Sequence, residues 1–291
     1  MPLSTHQLDG EQLTQLNALA KRCQNHDGNA IPIYTNQLLQ RRNLPCNLLY
    51  YHQRQLIGFL SVFFFYDDAC ELTLMVDPAW RKQCIAARLM STILPVLTSR
   101  ELDHLFFLSP HGLNDAWLTS RGLSYHHSEL QMQWKKGRAV TLNHPELSFC
   151  QSISDNDIST LVTIDMACFD TEKNILEDRF YRLLRDDTYQ LFMIKLNNQP
   201  IGKAHLHRES GQAQLSDVAI LPDYQGRGFG KELVAHCVQS APQTLPLRLC
   251  VELTNQTALN LYQKIGFKTI NTWDFWVLPM TKLLNCVSDN N

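Results

Sequence analysis

Gln225-Gly226-Arg227-Gly228-Phe229-Gly230 places three glycines at alternate positions, between an apolar run ending at Ile220 and a helical pattern beginning near Gly228. Glycine takes left-handed backbone without a Cβ penalty, so such a turn lets successive N–H groups converge on one anion, and the following helix N-terminus adds partial positive charge. The guest this implies is a pyrophosphate. Spacing excludes two familiar phosphate loops. A Walker loop needs Gly at position 225 and Ser or Thr at 232, where Gln225 and Glu232 stand, and a Rossmann fingerprint needs Gly at 231, which is Lys231. Taken alone, the hexapeptide also fits a tight turn whose glycines only cap a helix.

The pattern around the turn is mixed. A helical region is expected from Asp155 to about Arg185, then strands at Tyr189–Leu196, Ile201–Arg208 and Ala213–Ile220, with a turn at Asn197–Pro200. A helix follows from about Gly228 to Ser240, then a strand at Leu247–Leu253, a helix at Gln256–Ile265 stopped by Gly266, and a strand at Thr269–Leu278. This order predicts an α/β domain around a central sheet.

The same pattern occurs twice. At an offset of 144 residues, Gln55, Ile57 and Gly58 fall on Gln199, Ile201 and Gly202, Pro78 falls on Pro222, Trp80 on Tyr224, Leu89 on Leu233 and Gly122 on Gly266. A period of that length is a whole domain rather than a solenoid repeat. The chain reads as two tandem copies, 1–137 and 146–285, jointed at the polar stretch Lys135–Pro145. Its 291 residues suit two domains of roughly 100–200 residues each.

Composition narrows the classes of function. The chain is 44% hydrophobic and 19% charged, with 26 Lys+Arg against 28 Asp+Glu, which excludes disorder and lacks the basic footprint of a nucleic-acid or anionic-membrane binder. The apolar stretch Leu56–Tyr66 is far short of the roughly 20 residues a membrane helix needs and reads as a buried strand. Met1–Gly10 has no export pattern, so a cytoplasmic protein is expected. Nine cysteines without a Cys-x-x-Cys pair argue against a disulfide framework or zinc knuckle, and His126-His127, His205 and His207 lack carboxylate or cysteine at ligand spacing, so no metal is expected.

Three features stand in order. They are Val218-Ala219-Ile220, the glycine turn, and Asn255-x-x-Ala258-x-x-Leu261-Tyr262-x-x-x-Gly266-Phe267. Together they resemble the acetyl-CoA-binding core of the GNAT acyltransferase superfamily, and the resemblance covers Ser154–Leu278. It implies two tandem GNAT-like α/β domains, each a mixed, mostly antiparallel central sheet with helices on both faces. It also implies an acetyl-CoA-dependent N-acyltransferase in which a primary amine, on a small molecule or a peptide, attacks the thioester directly in a ternary complex. The pantetheine arm would lie along Val218–Ile220, with the N–H near Val218 polarising the thioester carbonyl. The pyrophosphate would sit on Gly226–Gly230, with Gln225, Arg227, Phe229 and Lys231 in the same cofactor-binding segment. Asn255 would hydrogen-bond the cofactor arm, and Tyr262 would protonate the leaving thiolate.

Subtracting one copy from the other locates the candidate chemistry. The first copy has Arg81-Lys82-Gln83-Cys84-Ile85-Ala86 at the turn, and His111, Asn114 and Leu118 in place of Asn255, Ala258 and Tyr262. Leucine cannot donate a proton, so this copy is expected to keep the fold without catalysis. Among groups ionisable only in the second copy, Glu252 and then Asp217 are the candidates for general base, ahead of His205 and His207. Glu252 shares a strand face with Cys250, a position where related enzymes acting on protein N-termini carry glutamate; other family members carry one where Gln214 stands. Asp165, Asp170, Glu172, Glu177, Asp178, Asp186 and Asp187 outnumber the basic residues of the region before Tyr189, an acidic rim suited to a cationic acceptor. Two other classes of function fit the pattern: a CoA-responsive binding or regulatory module with little turnover, and a purely structural tandem scaffold.

Overall fold

A computed structural model of the chain describes residues 1–136, 144–151, 154–169, 173–209 and 211–283. They form two compact units, one of the described residues within 1–130 and 271–283 and the other of those within 131–270. Each unit is a mixed, mostly antiparallel sheet with helices packed on its faces.

The first unit runs β1 (Leu3–Thr5), α1 (Gly10–Asp27), α2 (Thr35–Leu39), β2 (Asn47–His52), β3 (Gln55–Phe63), β4 (Ala69–Val76), α3 (Ile85–Thr98), β5 (His104–Pro110), α4 (Asp115–Ser120) and β6 (Ser124–Trp134, through residue 130). Local chemistry sets the helix ends. Asp9 and Gln12 form a reciprocal capping box at the start of α1, and Gly28, at φ 81°, ends it in the left-handed conformation. Two cores flank the sheet. Ile85, Leu89, Ile93 and Leu97 of α3 pack on one face, and Leu16, Leu19 and Cys23 of α1 meet Phe59, Phe63 and Met75 on the other.

The second unit continues with β7 (Leu147–Cys150), α5 (Ile158–Cys168), α6 (Lys173–Leu183), β8 (Tyr189–Leu196), β9 (Gln199–Glu209), β10 (Gln212–Ile220), α7 (Phe229–Ser240), β11 (Leu247–Glu252), α8 (Gln256–Ile265) and the start of β12 (Phe267–Pro279). The helical region expected at Asp155–Arg185 is therefore divided: a short 3-10 turn at Asp155–Asp157 is capped by Ser154, α5 follows, and Phe169 is extended at its end. Phe229, Leu233, Val234, Cys237 and Val238 form the buried stripe of α7 at helical spacing.

The compact units are not divided where the sequence repeat is. Residues 273–279 of β12 pair antiparallel with β5, from Trp273↔Pro110 to Pro279↔His104, and so complete the sheet of the first unit. Phe275, Trp276 and Leu278 are buried there by the first repeat's own core. The second unit in turn holds residues 131–134, where Gln133 accepts a hydrogen bond from Arg248 of β11. The repeat marks the duplicated sequence; sheet pairing and burial mark the units.

Candidate functional site

The end of β10 and the start of α7 frame the site. β10 pairs with β9 from Gln212↔Glu209 to Ser216↔His205, then the register shifts and resumes at Ala219↔Lys203. Asp217 and Val218 thus stand opposite Ala204 alone, a bulge that takes them out of ladder register. Asp217 has φ 50°, a left-handed conformation uncommon for a side-chain-bearing residue and tolerated best by Asn and Asp. On its other side β10 pairs in parallel with β11 at Ala213↔Leu247 and Gln214↔Arg248 only. Beyond these two rungs the strands part, leaving Val218-Ala219-Ile220 along the opening.

Gly202 permits this arrangement. A Cβ there would lie 2.4 Å from the Ala219 carbonyl oxygen, closer than real contacts allow.

At the end of β10 the chain makes the glycine turn. Gly226 and Gly228 have φ 72° and 86°, so their role is conformational, whereas a Cβ at Gly230 would stand 3.2 Å from the Leu261 side chain, a tight contact. Gly228 is the N-cap of α7, and the open space at Gly226 makes the loop a cradle lined by backbone. This fits an anionic phosphate guest. Gln225 is exposed, and its Nε2 donates to the Ile220 carbonyl at 2.8 Å, tying turn to strand. Arg227 lies over the Phe229 ring at 4.8 Å, and Lys231 is exposed in the first turn of α7.

Asn255 caps α8. Its Oδ1 accepts from the Ala258 N–H at 3.0 Å, so its amide NH2 is the group able to donate to a ligand. Tyr262 is buried in α8 with its ring 5.8 Å from Phe267. Burial, with a smaller effect from the Cys237 thiol, pushes its phenol up to about 12, so it is a protonated donor throughout the neutral range.

The two carboxylates nominated as bases differ sharply. Glu252 is exposed at the end of β11, on the same face as exposed Cys250, with Thr254 donating to its Oε2 at 3.1 Å. Asp217 has both oxygens engaged, Oδ1 by Arg179 Nη2 at 2.6 Å and Oδ2 by His205 Nδ1 at 3.3 Å. Burial raises the Asp217 carboxyl, but His205, Lys203 and Arg179 outweigh it and hold the group well below the usual carboxylate range. Such a group keeps its negative charge and is a poor proton acceptor.

Two residues of this neighbourhood were missed as site residues in the sequence. Lys203 is wholly buried, with its ammonium 2.7 Å from Asp165 Oδ1 and 3.3 Å from His205 Nε2. Asp165, counted in the acidic rim, is also wholly buried and belongs to no rim. The available signal was the period-two series Lys203, His205, His207 within an apolar strand. His207 does not join the group; it stacks on Tyr189 at 4.0 Å. Asp170 and Glu172 lie outside the described residues.

With this geometry in view, comparison with known proteins decides the family. The model of the acetyltransferase (GNAT) family matches twice, at residues 12–116 and 158–267. The chain belongs to the GNAT family. It carries the fold in tandem, and the family assignment extends to the first repeat as well as the second.

A [ribosomal protein bS18]-alanine N-acetyltransferase of Haemophilus influenzae is 38% identical over 76 residues, 26% of this chain and 52% of that protein. The protein of the same name from Escherichia coli strain K12 is 27% identical over 119 residues, 38% of this chain and 80% of that protein. The match therefore spans about half the length of the first relative. Among solved structures, a GCN5-related N-acetyltransferase from Sphaerobacter thermophilus superposes with a TM-score of 0.74 at 11% identity, covering 91% of both chains. A tandem GNAT protein from the clavulanic acid biosynthesis pathway superposes with a TM-score of 0.69 at 12% identity, covering 96% of this chain and 97% of that one. At these identities the likeness is one of fold. Among the described residues no helix is long and apolar enough to cross a membrane.

Proposed function

We propose that the second repeat transfers an acetyl group from acetyl-CoA to a primary amine by direct attack, and that the first repeat does not catalyse. The observation that carries this reading is the conjunction of parted strands and left-handed glycine turn along one edge, β10 leaving β11 after Gln214↔Arg248 and Gly226–Gly230 following at its end. Bound there, acetyl-CoA supplies the thioester. The turn N–H groups, with Arg227 and Lys231 nearby, hold its pyrophosphate; Asn255 donates to its arm; and the N–H near Val218 faces charge developing on the thioester oxygen. Tyr262 returns a proton to the leaving thiolate.

The acceptor loses a proton as it attacks. Asp217 is held too acidic to take it, so we assign that step to Glu252, directly or through water, in place of the glutamate that Cys250 lacks. The bS18-alanine acetyltransferases support a peptide α-amine as the acceptor class.

The test is thiol release from acetyl-CoA in the presence of an alanine-initiated peptide, an N-blocked lysine peptide and a set of small primary amines. Stoichiometric acetylation of one of them, reduced about ten-fold or more in Glu252→Gln with Tm unchanged, supports the assignment. Donor binding without turnover on any amine would establish a binding module instead.

A further inference from the structure

Asp217 sits at the bulge in a backbone conformation that costs free energy, and a chain of buried charge leads to it. From the interior outward, Asp165 of α5 meets Lys203 of β9, Lys203 meets His205, His205 meets Asp217, and Arg179 of α6 closes the chain on the carboxylate's other oxygen. Lys203, His205 and Asp165 have side chains at most 1% exposed. The partners fix the roles: an ammonium only donates, so His205 Nε2 accepts from Lys203, and Nδ1 carries the ring proton toward Asp217. His205 therefore has no nitrogen left to serve as a base toward a substrate.

Stability alone is a weak reason for such an array. Replacing a buried ion pair by well-packed apolar residues is often neutral or stabilising, and this one is imperfectly satisfied, since neither Asp165 oxygen nor His205 Nδ1 has a hydrogen bond of good geometry. The first repeat supplies the comparison. At the offset of 144, Asp165, Lys203, His205 and Asp217 correspond to Lys21, Phe59, Ser61 and Thr73. There the β3–β4 ladder runs from Gly58↔Val76 to Phe63↔Glu71 with no register shift. In the repeat without the array, the ladder equivalent to β9–β10 has no bulge.

We propose that Asp165, Lys203 and His205 are positioning residues that, with Arg179, clamp the Asp217 carboxylate and thereby hold the β10 bulge in the strained conformation that aims the Val218 N–H at the thioester carbonyl. The clamp is a device for preorganising a backbone dipole, set from the opposite side of the strand. It rests on the acetyl-transfer reading, and the two fail in different ways.

The probe is acetyl-CoA labelled with carbon-13 at the thioester carbonyl, its stretch read by isotope-edited infrared spectroscopy on the full chain. Wild type is expected to shift the bound stretch to lower frequency. Asp217→Asn keeps a residue that tolerates the left-handed conformation but removes the clamped charge. It is expected to lose most of that shift and about ten- to hundred-fold in kcat, with the Kd of unacetylated CoA changed less than two-fold. Lys203→Met combined with Asp165→Asn removes both interior charges together, avoiding an orphaned one, and is expected to move the stretch in the same direction by a smaller amount. A wild-type shift retained in full by both variants overturns the clamp while leaving acetyl transfer intact. No acetyl-CoA binding by wild type overturns the underlying reading and the clamp with it.

Discussion

The two repeats share one backbone plan and differ where a ligand would have to enter. In the first, β4 and β5 stay paired over five rungs, Ala69↔His104 to Thr73↔Leu108; in the second, β10 and β11 hold two. The turns differ in another way. Lys82 and Cys84 have φ 61° and 58°, the same left-handed conformations as Gly226 and Gly228, although they carry side chains. The first turn thus follows the same path without glycine, with two strained residues whose exposed side chains stand where the second turn has no Cβ. Burial in each repeat maintains the sheet, and the two differ at the turn and at the parting of the strands.

The largest effect should come from closing the cradle. Gly228→Glu adds a side chain at φ 86° and a negative charge facing the pyrophosphate, and is expected to weaken acetyl-CoA binding at least a hundred-fold in a calorimetric titration. The matching Cys84→Glu in the first repeat should leave a single site of unchanged affinity. Two sites in wild type, or a loss caused by Cys84→Glu, would break the contrast between the repeats.

Next comes Tyr262, whose counterpart is Leu118. Tyr262→Phe should lower kcat ten-fold or more while acetyl-CoA binding and Tm stay as in wild type. With the phenol pushed up to about 12 by burial, its proton is present below that pH and lost only above it. Ionisation of Tyr262 therefore contributes no alkaline decline between pH 7 and 10. A decline there that disappears in Tyr262→Phe would show the opposite assignment.

Much of this was legible in the residues themselves. Turn, strand succession and the α8 signature are local patterns, written by glycine, capping Asn255 and period-two or helical spacing, and the structure places them where the spacing predicts. Three things were not legible. The pairing of β12 with β5 joins residues more than 160 positions apart, and nothing in the apolar run Trp273–Leu278 names its partner strand. The Asp217 bulge depends on contacts from β9 and α6 to β10, so a strand pattern shows only an ordinary polar position. Lys203 did not stand out as a site residue because its partner, Asp165, comes from a helix 38 residues earlier.

A smaller effect sharpens the question of which loss matters in the first repeat. Lys82→Gly with Cys84→Gly relieves two left-handed side chains, each strained by about 1–2 kcal/mol, against a greater chain entropy in the unfolded state of about 0.5–1 kcal/mol per glycine. A net gain of about 1 kcal/mol in total is expected, visible as a small rise in the urea midpoint without change in m. No second acetyl-CoA site should appear, because β4 and β5 remain paired through Thr73↔Leu108. A new site would mean that the turn alone decides occupancy.

The smallest expected effect concerns pH and stability. His205 is wholly buried, and burial drives its pKa below the ordinary histidine value despite the neighbouring Asp217. The unfolded chain binds that proton near pH 6.5, the folded chain only at lower pH, so the unfolded state holds more protons as pH falls through this range and stability declines with it. The contribution is complete above the unfolded value and is lost progressively below about pH 6.5. Half-buried His236 is shifted in the same direction by burial and adds to the slope. Wild type should therefore melt a few degrees lower at pH 5.5 than at pH 7.5. His205→Gln should reduce that difference, since glutamine can replace the bond to Asp217 without titrating. The first repeat, with Ser61 at the equivalent position, supplies no such group, so the part of the slope removed by His205→Gln reports on the second repeat alone. An undiminished difference in His205→Gln would place the acid sensitivity elsewhere and remove the buried histidine from the contrast.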